Sequence, residues 1–526
     1  MIKKIISIFI SIVILLTCFA GCSNDEDKYF SCAISTMPEH FDPQIADSQG
    51  ERIVAVNTFD GLFKLDENGA PQKCAVSDYN ISADGRVYTF YLNKDMKYYI
   101  SKSVQSFLDE KEATIDGKVT AQDFAFGIKR AILPETNAPG YELINSIKNA
   151  ENVHNGLASV ESLGIRVVDD YTLEITLERE DENFIYALSQ PVSYPCDEEF
   201  FSLTNGRYGL EKKYIISNGA FYLSDIVEKE SVRISKNEEY KGNFEASPLS
   251  VRLYVNVNQE DVVKKINNKT YTVGFLTNKT AIEKLNKKAV QTSLNNITVS
   301  LVFNMSNTTI QNHSLRTGLV EGIDLNTVTT TPSKVLVPPH FKLSVDSVDG
   351  LPSNVNDARA KMKKALNELD TDNITINILC MKEYEEMAKA IVSCWQKNIG
   401  VELNGTITVA ESTDFTSKIR SGDFDAAIYP LSVNSAHSVD FLAMLTTDNR
   451  GNFMGYSSEE YDRLVQDFNS YPSAEKCGNC QSYLLKNAIV MPISAEDTVF
   501  ARAKNTTGVY FCGDVSNVYF YKGQKK

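Results

Sequence analysis

The alternation of apolar and polar positions divides the chain into short strands and amphipathic helices. Residues 87–92 read Val-Tyr-Thr-Phe-Tyr-Leu, rich in the β-branched and aromatic types that pack well on a pleated surface. The turn pair Asp84-Gly85 separates this run from a second strand expected over 75–81. Residues 164–168 and 171–177 form a similar pair about Asp169-Asp170. The later run alternates Leu173, Ile175 and Leu177 with polar residues, as a half-buried strand does. At Thr120 the period changes. Asp123 stands three residues on as a capping-box partner, and Phe124, Ile128, Ala131 and Ile132 then fall on one helical face. The first part of the chain therefore reads as a mixed domain of strands, turns and some helices.

The second half has a clearer order. Asn356 or Asp357 is placed to cap a helix whose Ala358, Met362, Ala365, Leu366 and Leu369 share a face. A strand is expected over 374–379. A helix over 382–398 then buries Tyr384, Met387, Ala388, Ile391, Cys394 and Trp395. Gly400 stops it, and a strand over 401–409 follows. Strand, helix and strand of these lengths form a βαβ crossover, which implies parallel pairing. A short helix over 413–420 and a strand over 425–431 come next. Trp395, the only tryptophan, keeps the helix period and is expected in the core.

The beginning of the chain follows neither period. Lys3 and Lys4 precede an apolar stretch over 5–19, broken only by Ser7, Ser11 and Thr17, and Ala20-Gly21 supply small residues before Cys22. This is the layout of a secretory leader over residues 1–21, shorter than a comfortable membrane span. Cys18-Phe19-Ala20-Gly21-Cys22 resembles a bacterial lipobox, with Phe19 where leucine is usual. That resemblance implies a diacylglycerol thioether on Cys22, which becomes the first mature residue. The other reading is an ordinary signal peptide with a chance cysteine. Residues 22–30 are polar enough to tether a folded domain to lipid. No later apolar run approaches a span, so the protein is expected at the extracytoplasmic face of a bacterial membrane, held by its lipid.

Length and charge narrow the class. A chain of 526 residues argues for more than one core. The formal net charge is −15 and becomes more negative when Lys3 and Lys4 leave with the leader. Such a surface repels nucleic-acid phosphates and anionic lipid, which leaves anchoring to the tether. Beyond Cys18 and Cys22, eight cysteines are spread too thinly for a disulfide scaffold. Cys477-Gly-Asn-Cys480 lacks the second pair that a zinc site needs, and reads as a local disulfide, two quiet thiols or a redox dithiol. None of His40, His154, His313, His340 and His437 lies within four residues of another, so no helical metal pair exists. The sequence also lacks HExxH, GxSxG, a phosphate-binding glycine loop and a dinucleotide fingerprint. No enzyme activity, cofactor or metal is expected.

Several segments, in order, resemble the extracellular solute-binding proteins of family 5, the oligopeptide- and dipeptide-binding lipoproteins of ABC importers. They are Phe41-Asp42-Pro43-Gln44, Asn57-Thr58-Phe59-Asp60-Gly61-Leu62, Asp84-Gly85 with Tyr88-Thr89-Phe90-Tyr91-Leu92, and Val119-Thr120-Ala121-Gln122-Asp123-Phe124. Further along come Asp169-Asp170 with Leu173 to Leu177, Asn218-Gly219-Ala220-Phe221, Leu315-Arg316 with Ile323-Asp324, and Pro338-Pro339. The resemblance implies an α/β, two-lobed, periplasmic-binding-protein-like fold of type II, peptide-binding cluster, with an extra inserted subdomain. It places lobe I in 31–60, 196–258 and 492–526, the inserted subdomain in 61–195, and lobe II in 259–491. It also implies a monomer that holds a small ligand, a peptide above all, between closing lobes, mostly through main-chain hydrogen bonds, and delivers it to permease subunits. A non-peptide solute, or a sensor on the same fold, are the alternatives.

The resemblance also nominates ligand contacts. Counted back from Phe441-Leu442, Asn434 stands where relatives carry an aspartate for the peptide α-amino group, and Leu431 stands at their tryptophan. An amide accepts a hydrogen bond but lacks charge assistance. Ser432, His437 and Asp440 complete this segment, and Asp440 is the carboxylate available if the loop is rebuilt. A solvated loop position is the simpler reading of His437. Asp47, Ser48 and Gln49 match a stretch that pairs with peptide main chain, and Phe303 and Asn304 match a lining strand of the second lobe. The family's WSDG is absent, with Tyr98-Tyr99 and an insertion through Asp116-Gly117 in its place.

Overall fold

The computed structural model describes residues 25–526 except 434–436, 448, 450 and 513, so Cys22 and Asn434 lie outside the described residues. The chain divides into two compact units. The first runs through Phe275 and adds Glu283–Gln291 and Ala501–Lys526. The second is Leu276–Ile282 with Thr292–Phe500.

In the first unit, Tyr29–Ile34 pairs parallel with Ser250–Val255, which pairs antiparallel with Ser231–Lys236, itself antiparallel to Phe221–Val227. A separate antiparallel sheet has the order Val76–Ile81, Val87–Leu92, Thr172–Thr176, Ile165–Asp169. Its two turns fall where the sequence puts them, with Gly85 at a φ of +69° that favours glycine. The helix Ala121–Ile132 begins at Thr120, whose N–H and hydroxyl both donate to the Asp123 carboxylate at 2.6 and 2.9 Å. Phe124, Ile128, Ala131 and Ile132 are buried as the period requires.

The segments that resemble the family knit this unit together. Asp42 receives Arg130 Nη1 and Nη2 at 2.7 and 2.5 Å, and Gln44 receives the same guanidinium, all buried. Asp60 lies 2.6 Å from Lys64 Nζ and accepts from the Tyr240 hydroxyl. Asn218 closes this knot by accepting from Asp60 N and donating to Asp60 O. Burial lowers the Lys64 pKa, but the Asp60 charge and hydrogen bond outweigh it and hold the ammonium above the usual lysine range. A Cβ on Gly61 would sit 2.7 Å from the Tyr194 ring, so only glycine fits there.

The second unit is a sheet ordered Leu403–Ala410, Ile374–Met381, Ala426–Leu431, Val290–Phe303, Val490–Arg502. The first three strands are parallel, and Ala426–Leu431 is antiparallel to Val290–Phe303. Side chains alternate between two cores. Ile374, Ile376, Ile378 and Cys380 join one, and Leu379 joins the other. The helices Val355–Glu368 and Glu385–Asn398 cover the first face, and Ser438–Ala443, Glu459–Ser470 and Ala474–Lys486 cover the second. The βαβ crossover is present, and Trp395 is fully buried with its indole N–H donated to Leu319 O at 2.9 Å.

Two local expectations need correction. The cap of Val355–Glu368 is Asn354, because its side chain accepts from Asp357 N and places Asp357 in the first turn. The strand expected from 401 begins at Leu403. Gly400 turns the chain at a φ of +129°, and Val401 is 95% exposed. Arg316 of the Leu315-Arg316 motif is buried and donates to the carbonyls of Ile310, Gln311, Asn487 and Ala488, closing the end of Ala474–Lys486. All eight described cysteines are buried thiols. Burial pushes Cys32, Cys196, Cys480 and Cys512 up to about 12.

Candidate functional site

The first-unit segment that holds Asp47, Ser48 and Gln49 is organised by Glu51. Ser48 is the N-cap of the helix Gln49–Thr58, and its hydroxyl accepts from Glu51 N at 3.3 Å. The buried Glu51 carboxylate accepts in return from Ser48 N at 2.9 Å, Asp47 N at 3.1 Å and Glu39 N at 3.0 Å. Burial raises the Glu51 pKa, but the Ser48 N–H, the His40 ring 3.7 Å away and the Asp47 and Glu39 N–H groups together bring it below the usual glutamate range. The carboxylate thus fixes a chain reversal with Asp47 exposed and Ser48 and Gln49 half-buried.

In the second unit, Leu431 ends its strand fully buried and Ser432 is exposed. Leu431 is core, so its side chain has no ligand-facing surface. His437 and Asp440 flank the start of Ser438–Ala443, both half-buried. Three contacts tie this helix to residues 333–344. The Ser438 hydroxyl donates to Lys342 O at 2.5 Å, Lys342 and His437 form a parallel bridge, and Phe341 and Phe441 meet edge to face at 5.9 Å. The other end of that stretch is held by Gln481, fully buried in Ala474–Lys486. Its Oε1 accepts from Leu336 N at 2.8 Å and Val337 N at 3.0 Å, and its Nε2 donates to Cys477.

Phe303 and Asn304 belong to a different place. Phe303 faces Ala426 across the strand pair while Thr298 faces Leu431. At about 3.4 Å per residue, Phe303 and Leu431 are therefore roughly 17 Å apart along the strands. Phe303 is fully buried, and the Asn304 amide is used by Gly422 O and Phe424 O, both at 3.0 Å. Asn304 lines a polar recess of about 810 Å³ with Asn307, Asn377, Arg420, Asp425 and Asn452. Several of its polar groups are already paired. Asp425 accepts from Asn307 Nδ2 at 2.8 Å and Asn377 N at 2.9 Å, and Asn452 bonds to Thr446 and Tyr456. The antiparallel register places Phe303 and Asn304 at the opposite strand end from the 431–440 segment, so the two sets of candidates are not brought together.

Comparison with known proteins gives the class. Residues 70–453 match the family of bacterial extracellular solute-binding proteins, family 5 middle. The chain is a family 5 extracellular solute-binding protein. The family is one of binding proteins rather than enzymes. Among similar proteins, the oligopeptide-binding protein AmiA of Streptococcus pneumoniae serotype 4 (strain ATCC BAA-334 / TIGR4) is 27% identical over 270 residues. That stretch is 50% of this chain and 39% of AmiA. The oligopeptide-binding protein OppA of Bacillus subtilis (strain 168) is 22% identical over 513 residues, covering 93% of this chain and 91% of OppA. The solved substrate-binding domain of an oligopeptide ABC transporter from Bacillus anthracis str. Ames superposes with a TM-score of 0.78 at 22% identity, over 95% of this chain and 99% of that one. The solute-binding protein has the two-lobed, periplasmic-binding-protein-like α/β fold expected of its class.

Two residues central to the solute-binding protein's candidate segments were not among the sequence candidates. Glu51 was visible in principle, since Ser48-Gln-Gly-Glu51 is a capping box. Gln481 leaves no such mark, because its partners are 144 and 145 positions away. Among the described residues, no group of three or more histidine, cysteine, aspartate or glutamate side chains is placed to hold a metal ion.

Proposed function

We propose that this protein is the lipid-anchored, extracytoplasmic substrate-binding component of an ABC importer, and that it binds peptides and delivers them to permease subunits. The observation that carries the reading is the match to an oligopeptide-binding protein along 93% of the chain, both units included. The two units are proposed as the two lobes, lobe I with the inserted subdomain over 61–195. Asp47, Ser48, Gln49, Ser432, Asn434, His437 and Asp440 are the proposed contacts. Peptides are held largely through main-chain groups, which gives affinity without strong selection among side chains. Cys22 is the proposed lipid attachment point, on the sequence pattern alone, and the protein works as a monomer.

Purified protein without residues 1–24, examined by native mass spectrometry and then denatured, is expected to release heterogeneous short peptides. A single non-peptide species would replace the substrate. With Asn434 at the usual aspartate position, free and N-acetylated peptides are expected to bind with similar affinity, and a strong preference for free amines would assign the ammonium to another carboxylate such as Asp440. Cys22→Ser is expected to release the protein from the membrane fraction, and unchanged membrane association would sink the lipid anchor.

A further inference from the structure

The stretch 333–344 links a buried amide to the candidate ligand segment. At one end Gln481 Oε1 accepts both Leu336 N and Val337 N. Pro338-Pro339 follows at once, with two fixed φ angles, and Phe341 N donates back to Pro338 O at 3.1 Å. At the other end Lys342 O receives Ser438 and Lys342 bridges His437, while Phe341 packs on Phe441. A short segment with two prolines and a closed turn has few conformations to exchange, so it transmits position like a strut.

Gln481 suits this task for a further reason. It is 0% exposed, and its Nε2 is held by the Cys477 carbonyl and thiol, both at 3.4 Å, so the amide has one orientation. Two adjacent buried N–H groups need an acceptor that reaches both, and one carbonyl oxygen with two lone pairs provides it without bringing a charge into the core.

We propose that Gln481 is a positioning residue for ligand binding: through the strut Leu336–Lys342 it sets where His437 and Asp440 stand. This rests on the peptide-binding reading above and deepens it. Gln481 touches no ligand itself. Its loss frees the strut, and the ligand-facing start of Ser438–Ala443 is no longer preorganised.

The test uses ligand-free protein, an equimolar tetrapeptide library as probe, and two substitutions. Gln481→Met keeps the approximate volume and removes the acceptor. Gln481→Glu, measured at a pH low enough to hold the buried side chain as the neutral acid, keeps a carbonyl acceptor and replaces the N–H donor by an O–H. The expected result is that Gln481→Met binds the library at least about tenfold more weakly, mostly through faster dissociation. Amide hydrogen exchange at Leu336 and Val337 rises with it, and Gln481→Glu recovers much of the affinity. A helix-packing control, Leu484→Ala, is expected to lower thermal stability while leaving affinity of the folded protein within about twofold. Equal binding by wild type and Gln481→Met, or no recovery in Gln481→Glu, overturns the positioning role while the peptide reading stands. Failure of the wild-type protein itself to bind the library overturns the peptide reading and this inference together.

Discussion

Two buried side chains do the same job in the two units by different chemistry. Glu51 gathers three backbone N–H groups of the 39–51 segment onto a carboxylate, beside a histidine ring. Gln481 gathers two from the 333–344 segment onto a neutral amide, deep among apolar side chains. The charged acceptor makes stronger hydrogen bonds and ties its segment to pH. The neutral one gives up strength and is indifferent to protonation. The environment accounts for the choice. Glu51 is buried, but three N–H groups and the His40 ring 3.7 Å away stabilise its charge. Gln481 is fully buried beside the apolar core of the second unit, where a neutral acceptor avoids the cost of burying a charge.

The largest effect is expected from Glu51→Ala, which leaves three N–H groups without their acceptor and unmakes the helix start. A loss of about 3 kcal/mol in unfolding free energy is expected by urea titration. A loss under about 1 kcal/mol would mean that water replaces the carboxylate and that the contrast with Gln481 is empty. The next is a pH effect. The folded Glu51 pKa is below the ordinary value of 4.5, so its contribution is complete above that value and lost as pH falls through the lowered one. The gap in midpoint temperature between wild type and Glu51→Gln is therefore expected to close on acidification from about pH 6 to about pH 3, while the gap for Gln481→Met stays constant. The smallest is Ser48→Ala, which removes only the cap hydroxyl and is expected to cost about 1 kcal/mol. If it also weakens peptide binding more than about threefold, Ser48 contacts ligand as well as capping its helix.

Local pattern located the strand 87–92, the Thr120 helix start and the βαβ unit, because each is specified by residues within a few positions of one another. Asn354 was missed as a cap because Asp357 and Asn356 compete for the same reading, and only the backbone shows which carbonyl opens the helix. The family segments proved legible for a different reason. Asp42, Asp60, Asn218 and Arg316 are buried polar groups with obligatory partners, so they mark the fold rather than the ligand. The candidate contacts were harder. Phe303 and Leu431 are both fully buried, and which strand residues become core depends on packing against distant segments that no short window contains. Gln481 lay beyond reach for the same reason.

The eight buried thiols make the folded domain a reporter of its own opening. Four, Cys32, Cys74, Cys196 and Cys512, lie in the first unit, and four, Cys380, Cys394, Cys477 and Cys480, lie in the second. An alkylating reagent acts on thiolate, and these thiols are both inaccessible and, for most, hard to ionise. Labelling of a domain that lacks residues 1–24 is therefore gated by local unfolding, and the order in which the two sets of four acquire mass ranks the opening of the two units. A fluorophore on one engineered surface cysteine would also stand alone, with no native cysteine to remove first.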